Sequence, residues 1–151
     1  MTATPTLRTF LWFPEKLDEA LAFYRESLGA VVHSENRLGP EGPLFTAEFS
    51  IYGHDFIGLN WAGGPAFNDA ISLSLSVDGQ DEVDRLWNAI TAEGKEGQCG
   101  WCTDKWGVSW QVTPIQMGQH LGDPDPEKSA YANAALLKMT KIVIADFTFA
   151  P

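Results

Sequence analysis

Both cysteines of the chain stand in one short stretch, QCGWCTDKWG, as Cys99 and Cys102. A C-x-x-C spacing suits a redox dithiol or one half of a zinc site. A redox pair needs its first thiol at a helix N-terminus, where the amide groups stabilise thiolate. The residues after Cys102, TDKWGVSWQV, read instead as a turn at Gly107 running into a strand. If Cys99 to Cys102 is extended, the odd separation sends the two sulfurs to opposite faces, which forbids a shared bond or metal. His33, His54 and His120 are scattered singly and offer no further zinc ligands. The pair reads as two ordinary free thiols.

A second set of chemically capable residues is arranged by alternation. In ISLSLSV, Ser72, Ser74 and Ser76 fall on one side and Ile71, Leu73, Leu75 and Val77 on the other. VSWQVTP sets Ser109, Gln111 and Thr113 against Val108, Trp110 and Val112. LFTAEFSIY sets Thr46, Glu48 and Ser50 against Phe45, Ala47, Phe49 and Ile51. The apolar sides must meet helices. The other side carries hydroxyls, amides and one carboxylate, and by itself this pattern also fits the solvated side of an antiparallel sheet. Phe10 and Trp12 share the parity of Arg8, Trp101 and Trp106 flank the last of these strands, and Trp87 and Trp110 belong to the core.

The elements that position these residues follow in a repeated order. Leu7 to Phe13 is a β-rich run closed by Pro14, and LDEALAFYRESLG is an amphipathic helix with Gly29 at its end. AVVHSENRL, LFTAEFSIY and HDFIGLNW are three strands, the last two hinged at Gly53. After the loop Trp61 to Asp69 the order restarts: AISLSLSV is a strand, DEVDRLWNAI a helix, and DEVDRLW echoes DEALAFY. The chain reads as one domain, 1–151, with a first module at 5–62, a second at 68–114 and an extension at 115–151. In the extension, DPDPEKSAYANAALLKM predicts a helix capped by Asp125, with Pro126 in its first position and one buried apolar face. KIVIADFTF predicts a closing strand, and such an addition packs on a partner subunit or on the chain's own sheet.

Composition excludes several function classes. A chain of 151 residues with 44% hydrophobic content supports one domain with a true core. A formal charge of -10 repels phosphate backbones and anionic membranes, so no nucleic-acid partner is expected. No apolar run approaches the roughly 20 residues of a membrane span, and MTATPTLRTF lacks the pattern of a signal peptide. A cytoplasmic protein with no membrane partner is the expectation, and two cysteines are too few for a disulfide scaffold.

The order of elements, with FLWF and ALAFY, GPLFTAEF, FIGLN, GGPAFNDAISLSLSV, EGQCGW, DKWGVSWQVTP and DPDPEKSAYANAALLKM, resembles the vicinal oxygen chelate superfamily. The branch it is most similar to is the PhnB-like group labelled 3-demethylubiquinone-9 3-methyltransferase domains. The resemblance implies an α+β fold of paired βαβββ modules. These form a curved mixed sheet with a concave cavity (glyoxalase/bleomycin-resistance-like), here with a C-terminal helix and strand added. The positions that carry metal ligands in the superfamily's enzymes are occupied here by Arg8 (or Thr9), Asn60, Ser72 and Gln111. Such a set is a poor shell for a divalent cation, so no bound metal and no cofactor are expected. No strand–GxGxG–helix pattern supports the methyltransferase label.

With the resemblance, the polar face becomes a cavity wall. The expected function is binding of a small polar molecule by Arg8, Phe10, Trp12, Asn60, Ser72, Ser74, Trp101, Ser109 and Gln111. Ser72, Gln111, Asn60 and Glu48 are expected to share one pocket. Glu48, desolvated on that wall, is the candidate general acid or base if the protein is a metal-free enzyme. A metal-dependent enzyme of the superfamily and a dimeric interaction module are also compatible with the chain. A homodimer is expected, because the extension goes beyond the two modules and the superfamily builds its cavities from paired modules.

Overall fold

Along the first strand, β1 (Thr9–Phe13), Leu11 and Phe13 are buried whereas Phe10 is 56% exposed, so one side of the strand is already committed to a core. The computed structural model describes residues 2–149. It falls into two compact units, one ending at Ala66 and the other beginning at Phe67.

In the first unit, helix α1 (Leu17–Leu28) buries Leu17, Ala20, Leu21, Tyr24 and Leu28, one stripe at helical spacing. Gly29 ends it in the left-handed region, its N–H bonded to Tyr24 O. Strands β2 (Val31–Arg37), β3 (Leu44–Ile51) and β4 (His54–Asn60) complete a mixed sheet of order β1-β4-β3-β2, in which β1 runs parallel to β4. Tyr52 and Gly53 both take positive φ, the conformation a two-residue hairpin needs to match the strands' twist. A Cβ on Gly58 would lie 2.7 Å from Leu17 Cδ1, so the helix seats directly on β4 only because residue 58 has no side chain. Phe49 stacks on Phe56 at 5.1 Å and Tyr24 on Phe49 at 6.3 Å beneath it.

The second unit repeats the design. Strand β5 (Leu73–Val77), helix α2 (Gln80–Thr91) and strands β6 (Lys95–Glu96), β7 (Trp101–Thr103) and β8 (Ser109–Pro114) form a sheet of order β5-β8-β7-β6, again with the first strand parallel to the last. Helix α2 buries Val83, Leu86, Trp87 and Ile90. The fold is α+β, with the paired strand-helix-three-strand modules that the sequence implies.

The extension departs from expectation in two places. Helix α3 (Met117–Leu121) is followed by α4 (Pro126–Leu136), whose cap is as the sequence predicts: Asp125 accepts from Glu127 N. Its apolar residues do not form one buried face, however, because only Ala132 is buried and Tyr131 is 42% exposed. The closing strand over KIVIADFTF is also corrected: Ile144–Phe147 is a single 3₁₀ turn. The segment is tied by a side chain instead of a ladder. Gln80 Nε2 donates to Ile142 O, and Ile144 N donates to Gln80 Oε1. Cys99 N and Gly100 N donate to Met139 O and Thr140 O just before it. Ile142 and Phe147 are buried, so the extension packs on its own unit.

Two residues break the alternation. Ile71 precedes β5 and is 76% exposed. In β3, Asn36 faces Thr46 and Arg37 faces Leu44, which leaves Phe45 as an extra, bulged residue. Leu44 therefore joins the core, while Phe45 sets its ring edge-on to Trp61 at 5.7 Å.

Candidate functional site

Each sheet has one face under its helix and one open face, and the open faces carry the candidate residues. In the first unit the register aligns Phe10 with Ile57, Trp12 with Leu59, Ile57 with Glu48, and Leu59 with Thr46. Glu48 is central to its polar end. Arg8 Nη1 donates to Glu48 Oε1 at 2.6 Å and Ser34 Oγ donates to Oε2 at 3.1 Å. The Glu48 side chain is 47% exposed and ion-paired, so the desolvation anticipated from sequence is absent. Arg8, His33, Glu48, Phe49, Asp55 and Phe56 line a cleft of about 290 Å³. His33 Nε2 lies 2.9 Å from Ser50 Oγ, and His54 Nε2 lies 2.8 Å from Thr9 Oγ1.

The other end of this face is apolar. Phe10, Ile57 and Leu59 are at least partly exposed there. Trp12 is anchored by its indole N–H to Trp61 O at 2.6 Å, and a Cβ on Gly64 would come within 2.5 Å of the indole. The loop after β4 thus folds over Trp12 and walls off that end.

Asn60 is a correction. It shares the parity of Phe56 and Gly58, so it turns toward α1, where its Oδ1 accepts from Leu17 N at 3.3 Å and its Nδ2 donates to Leu44 O at 2.9 Å. It satisfies the first free amide of the helix and pins that helix to the sheet. The sequence repeat does not say which face the strand's last residue takes, and that is why Asn60 was expected on the open side.

In the second unit Ser72 and Gln111 meet: Gln111 Nε2 donates to Ser72 Oγ at 2.9 Å. Ser74 lies beside Gln111 in the register and Trp101 lies across from it on β7. Ser109 is buried, and its Oγ has no hydrogen-bond partner among the described residues. Glu48 and Asn60 lie in the first unit, Ser72 and Gln111 in the second.

Sequence reading missed Asp104. It is 3% exposed; its Oδ1 accepts from Trp106 N and Val108 N, and its Oδ2 from the Trp110 indole, each at 3.0 Å. An Asp three residues before a glycine turn was the available signal. It missed the grouping of His33, Ser34, Ser50 and Asp55 around Glu48 as well, since that depends on the pairing of β2 with β3.

The cysteines are both free. Cys99 is not extended; it has a φ of 58° in the turn before β7 and directs its thiol to Leu136 O at 3.4 Å. The Cys102 thiol is pushed up to about 12, first by burial and then by the charges of Asp104 and Glu96. A thiol so hard to ionise is a poor nucleophile and metal ligand.

The donor set does not fit a divalent metal. Arg8 is bound to Glu48, Asn60 to α1, and Ser72 to Gln111. Among the described residues no three His, Cys, Asp or Glu gather where they could hold one. No helix among them is long and apolar enough to cross a membrane.

Comparison with known proteins places this architecture. The profile of the family described as 3-demethylubiquinone-9 3-methyltransferase matches residues 5–113. The PhnB protein from Bacillus cereus is 26% identical with a TM-score of 0.67, over 74% of this chain and 100% of that one. A Pseudomonas aeruginosa protein is 21% identical with a TM-score of 0.63, over 74% of this chain and 98% of its own. The genomically encoded fosfomycin resistance protein FosX from Listeria monocytogenes, at 12% identity, shares the fold with a TM-score of 0.55, over 75% of this chain and 94% of its own. No curated protein matches the chain. With the profile spanning both modules, the chain belongs to the PhnB-like 3-demethylubiquinone-9 3-methyltransferase family, on the vicinal oxygen chelate fold.

Proposed function

We propose that this protein binds a small organic molecule on the open face of its first sheet, with no resident metal, as a cytoplasmic homodimer. The observation that carries the reading is the division of that face: a polar end of Arg8, Glu48, Ser34 and Asp55 adjoins an apolar end of Phe10, Ile57 and Leu59. Phe10, 56% exposed, adjoins Ile57 and Leu59 on the same face, so the apolar residues there form a patch beside the ion pair. A few oriented polar groups beside an apolar surface are what a small-molecule site needs. In the second unit the Ser72–Gln111 pair, with Ser74 and Trp101 beside it, is a separate, uncharged set of polar groups that could hold a small ligand of its own, whereas Ser109 is too buried to reach one. Two unpaired cysteines suit a reducing compartment.

Methyl transfer, which the family name mentions, finds little support in the residues. The turn from β1 into α1 carries Pro14, Glu15 and Lys16 with no glycine, and its leading amide is bonded to Asn60. Thermal-shift screening against metals, polar metabolites and amphiphilic organic compounds tests the reading. Stabilisation by organic compounds, lost on Phe10→Ala, is expected. Stabilisation by metals alone, or by nothing, would discard it. Sedimentation at micromolar concentration, with twice the chain mass expected, tests the dimer.

A further inference from the structure

The charges of the cleft narrow the ligand's chemistry, an inference that rests on the site proposed above. Of the residues lining it, Arg8, Glu48 and Asp55 carry fixed charge. Arg8 is engaged by Glu48 at 2.6 Å, which leaves that pair locally neutral. The Asp55 side chain has no hydrogen bond or ion pair among the described residues, and its register neighbour Ser50 is paired with His33. Arg8, Glu48 and Asp55 together leave one uncompensated carboxylate in the cleft, within a chain of net charge -10. Both the local and the overall field therefore favour a cation and oppose an anion.

The apolar side agrees. Phe10 lies on β1 two residues after Arg8, which directly precedes the strand, and Ile57 sits between Phe10 and Glu48 in the register. A group held at the cleft is thus within one side-chain length of an exposed aromatic ring. The cleft, about 290 Å³, suits a head group and not a whole drug-sized molecule.

We infer that the ligand class is an organic ammonium, its cationic head at Asp55 and its apolar body along Phe10 and Ile57. Calorimetric titration of the full chain with phenylbutylamine, phenylbutanol and phenylbutyrate tests this, since the three share one body and differ in the head. The amine should bind about tenfold more tightly than the alcohol at low ionic strength, a preference of the size a charge-assisted contact supplies. Added salt should shrink that preference. Asp55→Asn should bring the amine down to the alcohol's affinity and leave the alcohol unchanged, whereas Asp55→Glu should keep the preference. Equal affinity for amine and alcohol, or tightest binding of phenylbutyrate with loss on Arg8→Gln, overturns the cationic assignment and leaves the site standing. Failure of all three to bind removes the site and this inference together.

Discussion

Strand β2 of the first unit has seven residues and its counterpart β6 has two, although each lies at the far edge of a sheet with the same strand order. The first unit holds its edge with a full antiparallel ladder to β3. The second replaces most of that ladder with the extension, whose Met139 and Thr140 carbonyls receive the amides before β7. The open faces differ as well. The first carries Arg8, Glu48 and Asp55, while the second carries Ser74, Ser76, Gln111 and Thr113, with the charge of Lys95 at its β6 edge. Each unit also has its own polar clamp: Asn60 ties α1 to the sheet, and Asp104 closes the turn before β8. Topology is set by the faces under the helices, so the chemistry of the open faces was free to diverge between the modules.

Truncation after Pro114 should break the comparison most severely. It removes the buried side chains of Ala132, Met139, Ile142 and Phe147 from the second unit. At about 1.5–3 kcal/mol for each large apolar side chain, the loss is on the order of 5 kcal/mol, comparable to the whole stability of many domains. Chemical denaturation should show the second unit melting early; an unchanged midpoint would mean the extension does not support it.

The two clamps should differ next. Asp104→Ala strands the Val108 amide and the Trp110 indole N–H in the interior, at a cost of about 3 kcal/mol. Asn60→Ala removes bonds that are only partly buried, at about 1–2 kcal/mol. Equal losses in urea titration would contradict the assignment of Asp104 as the more deeply buried of the two.

Cys102 supplies a pH test confined to the second unit. Its thiol has an ordinary value of 9.0 and is raised in the fold to about 12. Between those values the unfolded chain gives up a proton that the folded chain keeps, so stability falls as pH rises from about 9 toward about 12. Cys102→Ala should lessen that decline. In the native protein at mildly alkaline pH, Cys102 should resist alkylation and become reactive on unfolding.

The smallest effect on stability is expected at the first unit's open face. Arg8→Gln breaks an exposed ion pair and should cost no more than about 1 kcal/mol. A larger loss would show that the pair holds the sheet together instead of serving the surface.

Much of this was legible in the chain itself. The strict alternation of LSLSV and SWQVT identifies the face of Gln111, and Asp125-Pro126 marks the start of α4, because both signals are local. The closing strand was not legible: KIVIADF has the composition of a strand, but the Ile142 carbonyl and the Ile144 amide are claimed by the side chain of Gln80, a residue 64 positions from Ile144. The alternation of HDFIGLN already gives Asn60 the parity of Phe56, but its partner was hidden, since Leu17 is brought to it only when α1 lands on Gly58.

The sequence by itself determined the repeated strand-helix-strand order, the apolar stripes that seat α1 and α2, and the polar character of the opposite face, because each depends on periodicity within one element. Tertiary structure alone decided that Arg8 would meet Glu48 across 40 positions, that the Asp55 side chain would stand beside that pair in one cleft, and that Asp104 would be buried under three donors. Those outcomes depend on strand order and register. A chain's local pattern constrains them weakly, because a parallel pairing such as β1 with β4 joins strands separated in sequence by a whole helix and two further strands.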